Sequence, residues 1–191
     1  MVNGSRAAKK VIATLIFLCL AVVAETHAQQ PLLSPRDSSE IVIGGKKISV
    51  NYGRPSMRGR KIMGELVPFN KVWRTGANEA TAFETEADLE IGGVRVPGGS
   101  YTLYTLPSEK QWKLIMNKQT GQWGTVYNAD LDFARINLKK KTLKTPVEKF
   151  FISFKRNGIG GLLILEWETT SLSIPLKVLN GKSNSSTKSK M

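Results

Sequence analysis

The sequence predicts an all-β fold: a single antiparallel β-sandwich, Greek-key or jelly-roll-like, carrying one long irregular segment. Three observations point there. Short apolar runs with strand alternation recur along the chain, glycine pairs sit between several of them, and sustained helical periodicity is nearly absent. A partly closed barrel is the neighbouring solution for so many strands, and strand order does not follow from the sequence.

The elements follow in order. EIVI at 40–43, Gly44-Gly45 and KKISVNY at 46–52 form a hairpin pattern. DLEI at 88–91, Gly92-Gly93 and VRVP repeat it, since glycine pairs suit the positive φ angles of two-residue hairpin turns. In SYTLYTL both alternating faces carry apolar area, which fits an interior strand. QWKLIMN aligns Trp112, Leu114 and Met116 on one face. ARINLK, KFFISFKR, LLILEWE and SLSIPLKV follow, with Phe150, Ile152 and Phe154 alternating, as do Leu163, Leu165 and Trp167. Residues 60–73 leave room for a short helix interrupted by Gly64 and Pro68, and 127–135 for one or two turns after Asn128.

The ends read differently. Arg6, Lys9 and Lys10 precede the uncharged run VIATLIFLCLAVVA at 11–24, and small residues follow with Ala28 at a cleavage-type position. This is the pattern of a secretory signal peptide over 1–28. Its apolar run is shorter than the roughly 20 residues a membrane-spanning helix needs. The expected destination is therefore export, to the periplasm or the external medium, with no transmembrane helix in the mature chain. Residues 29–37, with Pro31 and Pro35, read as an irregular approach, 38–179 as the sandwich domain, and 180–191 as a disordered basic tail.

The 191 residues carry 28 Lys and Arg against 15 Asp and Glu, a net charge of +13 with the lone histidine neutral. Removing the leader takes Arg6, Lys9, Lys10 and Glu25, leaving +11, and it also takes His27 and Cys19, the only His and Cys. Imidazole bases, thiol nucleophiles and zinc-finger sites are then excluded. Carboxylates, hydroxyls, lysines and arginines remain, and no cofactor or metal is expected. A basic balance is compatible with acidic partners, but no helix-turn-helix or finger pattern supports specific nucleic acid binding.

Residues 51–81 lack a sustained strand period and gather arginines among glycines and prolines. Long irregular segments on β scaffolds often carry function. Arg54, Arg58 and Arg60 make a candidate anion patch, because guanidinium forks match carboxylate and phosphate geometry; bracing of the loop is the plainer use. Trp73, Arg74, Asn78 and Glu79 offer a stacking face, a donor fork, an amide and an acid within one short stretch. They are expected to converge on one concave patch that binds a small anion, a glycan or an envelope component. The plainer reading makes Trp73 core and pairs Arg74 with Glu79. A carboxylate-dependent, glycosidase-like hydrolase using Glu79 and a second acid is an alternative, as is a purely structural envelope domain.

Other polar features fit ordinary surfaces. Glu84, Glu86, Asp88 and Glu90 recur at period two, as on the solvent face of one strand. Glu166 and Glu168 flank Trp167 and are expected to face solvent together. Trp123, between glycines in GQWG, suits a core anchor or a binding aromatic.

NYGRPSMRGRKIMGELVPFNKVWRTGANEAT, IGGVRVPGGSYTLYTLP, QWKLIMNK, WGTVYNAD and the late LEWE together resemble a bacterial domain-of-unknown-function family. Its members are typically exported and common in Bacteroidetes-type bacteria, and the likeness spans about residues 33–178. The recurrent blocks fall at Tyr52–Pro55, Gly59–Arg60, Leu66–Pro68 and Trp73–Thr81. Met63 and Phe69 stand where members often show Phe and Tyr. The resemblance implies export and a mostly β domain, and it brings no activity, cofactor or catalytic residue.

Overall fold

The two glycine pairs do make hairpin turns. Gly44 and Gly45 have φ of 57° and 75°, Gly92 and Gly93 have 55° and 88°, and the flanking residues Ile43/Lys46 and Ile91/Val94 face each other across the pairs. Positive φ at both central residues matches the right-handed twist of the strands they join.

The computed structural model describes residues 33–179. The predicted leader over 1–28 and tail over 180–191 lie outside the described residues. Ten strands follow in chain order: β1 (Arg36–Ile43), β2 (Lys46–Gly53), β3 (Thr81–Thr85), β4 (Leu89–Ile91), β5 (Val94–Val96), β6 (Gly99–Leu106), β7 (Lys113–Asn117), β8 (Asp132–Asn137), β9 (Lys139–Asn157) and β10 (Gly160–Val178). They form two antiparallel sheets, β1-β2-β3-β6-β7-β8 and β5-β4-β10-β9, and the fold is an all-β sandwich without barrel closure.

One core lies between the sheets. Ile48, Val50, Phe83, Leu103, Leu114 and Met116 of the larger sheet meet Leu89, Ile91, Ile152, Leu163, Leu165 and Leu176 of the smaller. Tyr52 ties the layers with a polar bond as well: its buried hydroxyl accepts from the Ile152 backbone N–H at 3.0 Å. The interior position expected for SYTLYTL holds, since β6 lies between β3 and β7. Tyr101 and Leu103 face the core, while Thr102 and Tyr104 are buried on the outer face.

Several local expectations change. LLILEWE and SLSIPLKV are one strand, β10, bent at register shifts between Glu166 and Thr170. Residues 60–73 hold no helix, and the expected turns after Asn128 reduce to a single 3-10 turn, Ala129–Leu131, capped by the Asn128 side chain. The four acids spaced from Glu84 to Glu90 do not share a strand face. The chain leaves the larger sheet after Thr85 and enters the smaller at Leu89. Glu86 accepts from the Lys47 N–H, Asp88 binds Arg95 and the Gly98 N–H, and Glu90 pairs with Lys177.

Candidate functional site

The irregular segment between β2 and β3 leaves the sheet and returns to it almost where it left. Trp73 exchanges both backbone hydrogen bonds with Thr105 of β6, and Thr81 resumes the ladder opposite Leu103. The excursion is closed at its base by threonines: Thr81 Oγ1 donates to the Thr75 carbonyl at 2.8 Å, and Thr75 Oγ1 meets Thr105 Oγ1 at 3.2 Å. It then lies backbone-to-backbone on the end of β2, with the Ala77 N–H donating to the Gly53 carbonyl at 3.2 Å.

A second strip of chain clamps the outer side. The Ala80 N–H donates to Gln122 O and the Gly124 N–H to Asn78 O, so Glu79 and Trp123 form a non-hydrogen-bonded antiparallel pair between those bonds. Such pairs hold their side chains close on one face of the ribbon.

Trp73 is core. Its ring stacks on Trp167 at 5.8 Å between centroids and meets Phe150 edge-on at 5.1 Å. Because Trp73 is paired with Thr105 on the inner face, its neighbours Val72 and Arg74 belong to the outer face with Tyr104. There a cleft of about 210 Å³ is lined by Val72, Trp73, Arg74, Tyr104, Gly124, Thr125 and Tyr127.

Of the sequence-predicted site residues, the cleft thus takes Trp73 and Arg74. Asn78 turns its amide to the Ser34 carbonyl at 3.2 Å. Glu79, more than half exposed, pairs with Arg36 at 3.4 Å and not with Arg74. Arg54 bonds the Phe150 carbonyl, pairs with Asp37 at 3.2 Å and lies over the Phe151 ring. Arg58 donates to the Leu33 carbonyl, and Arg60 to the carbonyls of Ser56 and Met57. Arg54 thus ties the segment to strands of both sheets, Arg58 ties it to the chain before β1, and Arg60 closes a turn within it. Arg74 differs: its Nε donates to Gly76 O at 3.1 Å, and its two terminal nitrogens have no partner among the described residues.

The cleft walls come from residues the sequence left unassigned. Tyr104 and Tyr127 meet edge-to-face with centroids 4.8 Å apart. The Tyr104 hydroxyl donates to Val126 O at 2.6 Å and accepts from Gln122 Nε2 at 3.0 Å. The Tyr127 hydroxyl donates to Asp132 Oδ2 at 2.6 Å and accepts from Arg135 at 2.9 Å. Burial, then the hydrogen bond and negative charge of Asp132, push Tyr127 up to about 12. Burial likewise raises Tyr104. The carboxylate of Asp132 hydrogen-bonds to Arg135 and raises that guanidinium further. The signal for Gly124, Thr125 and Tyr127 was the WGTVYNAD block, whose residues gave no sign of which loop they would face.

Two other clefts carry charge of a different kind. One, between the β9–β10 turn and Gly92-Gly93, contains the Glu90–Lys177 pair at 3.0 Å, which cancels itself. The other, on the face of β2, β3 and β6, is lined by Lys47 together with Glu84 and Glu86. Among the described residues no group of three or more His, Cys, Asp or Glu could hold a metal ion, and no helix is long and apolar enough to cross a membrane.

A family model described as "Protein of unknown function (DUF2911)" matches residues 34–176. The chain belongs to the DUF2911 family. No curated protein and no solved structure matches it. The matched span runs from the residue before Pro35 to Leu176 of β10, so the DUF2911 match includes both sheets, the irregular excursion and the strip that clamps it.

Proposed function

We propose that this DUF2911 domain is an exported, non-catalytic binding module that takes a small acidic or glycan-like ligand, or that group on an envelope component, in the Arg74 cleft. The observation that carries this reading is the contrast among the four arginines of the irregular segment. Arg54, Arg58 and Arg60 spend terminal or Nε nitrogens on carbonyls and a carboxylate, whereas the terminal nitrogens of Arg74 are unpaired among the described residues beside two aromatic walls. The fork opens to solvent in the cleft, so an anion can meet its terminal nitrogens without displacing a protein partner.

Backbone resonances of the labelled protein, followed through a screen of small acids and envelope glycans, test it. A ligand should shift Tyr104, Gly124 and Thr125, and Arg74→Ala should remove the response by about tenfold or more in affinity. Shifts confined to other faces, or indifferent to Arg74→Ala, would sink the reading. Export rests on the leader pattern at 1–28 and is tested separately: protein recovered from an envelope or medium fraction should begin at Gln29.

A further inference from the structure

Within the cleft, the polar side chains a ligand could meet can be taken one by one. A phenol has one hydrogen to give, and both are spent: Tyr104 on Val126 O, Tyr127 on Asp132. Each hydroxyl oxygen also already accepts one bond, from Gln122 and Arg135 respectively. Arg74 only donates. Thr125, exposed at the rim, is the remaining side-chain hydroxyl of the lining.

Charge can be counted the same way. Asp132 is bound by Arg135 at 2.7 Å and accepts from Asn117 at 2.9 Å, so its charge is matched. That leaves one uncompensated unit of positive charge among the lining side chains, on a planar fork.

The fork is also held in place. A Cβ at Gly124 would lie 2.7 Å from Arg74 Cδ and 2.6 Å from Asn78 O, so the clamping strip already rests against the arginine stem. Holding the donor in position before binding lowers the entropy lost on binding. The cleft volume is below the roughly 300 Å³ at which drug-sized sites begin, which suits one ring or a short acid.

From this accounting we infer that the Arg74 cleft selects a monocarboxylate attached to a ring or short apolar body, held by the guanidinium fork with its body against Tyr127 and Val72. A neutral sugar brings no charge to match the fork, and the Thr125 hydroxyl is the one lining side-chain group left to accept from it. A phosphate dianion also matches the fork's geometry, but it brings two negative charges against the single positive charge of the lining. The inference rests on the binding reading above and narrows it.

The experiment titrates the protein with benzoate, glucuronate, glucose and inorganic phosphate, reading the same resonances. Benzoate or glucuronate should bind, glucose and phosphate at least about tenfold more weakly. Arg74→Lys keeps the charge but loses the fork, and should weaken the acids about tenfold; Arg74→Gln should abolish their binding. Glucose or phosphate binding as tightly as glucuronate, with dependence on Arg74, would overturn carboxylate selection and leave the cleft itself standing. Acid binding that survives Arg74→Gln would overturn both, and silence from both acids overturns the selection. Circular dichroism and an unchanged urea midpoint in Arg74→Lys separate lost recognition from lost folding.

Discussion

At Gly53 the end of β2 passes directly beneath Ala77. A Cβ built there would lie 2.0 Å from the Ala77 carbonyl oxygen, a backbone atom that cannot rotate away. Gly76 is also confined: a Cβ there would lie 2.9 Å from both Gly53 O and Thr81 Oγ1. The small residues in YGRP and WRTGANEAT are thus explained jointly: the two blocks are opposite sides of one backbone contact. Gly53→Ala should lower stability by about 2–4 kcal/mol, as overpacking against rigid neighbours does. Gly44→Ala, in an open turn with φ of 57°, should cost only about 1–2 kcal/mol of left-handed strain. Urea midpoints of the two variants decide the comparison, and equal losses would remove the steric explanation. Neither effect requires a catalytic role for the polar residues beside them, since Thr75 and Thr81 are occupied in closing the loop.

Between elements, the bend of β10 does comparable work. Glu168 has φ of 52°, lies at the register shift, and its carboxylate accepts from the Ile62 and Met63 N–H groups at 3.4 and 3.2 Å. The expected solvent-facing partnership with Glu166 is therefore replaced by a clamp on the irregular segment, because the bulge interrupts simple alternation. Hydrogen bonds to a charged group contribute about 1.5–3 kcal/mol each, more than the roughly 1–2 kcal/mol of strain at one left-handed residue. Glu168→Gly relieves the strain and deletes the acceptors together, so it should destabilise the fold and speed hydrogen exchange at Ile62 and Met63. A neutral or stabilising result would show that strain outweighs the clamp. The lysine run at 139–141 also takes its meaning from its element: β9 is the outer strand of the smaller sheet, where charged side chains discourage pairing with another chain's edge.

For the whole molecule, burial leads the causes that raise all four tyrosines above their ordinary value near 10. Their neutral forms are favoured by the folded state. The corresponding stability is fully present below pH 10 and is lost as pH rises toward the folded values, about 12 for Tyr127. Alkaline titration followed by phenolate absorbance should show little ionisation near pH 10 in the folded protein, then a cooperative rise accompanying loss of near-ultraviolet dichroism. Tyrosines titrating freely at 10 with the fold intact would contradict this. Tyr52 connects the scales, since its buried hydroxyl accepts the N–H of Ile152 from the opposite sheet.

Local patterning settled the all-β class, both glycine-pair hairpins, and the inward faces of Trp112, Leu114 and Met116, because strand alternation and turn geometry depend on residues adjacent in the chain. It also singled out the irregular segment and Arg74. Which sheet each strand joined was beyond it: the acids from Glu84 to Glu90 looked like one face because nothing in their spacing records a crossing between layers. Nor could spacing show that Arg36 would answer Glu79, that Trp73 would stack on Trp167, or that Tyr104 and Tyr127 would wall the cleft beside Arg74. Those pairings join residues distant in sequence. The sequence by itself determined the repertoire of strands and charged groups; tertiary structure decided which charges are satisfied, and so which arginine retains an unpaired fork.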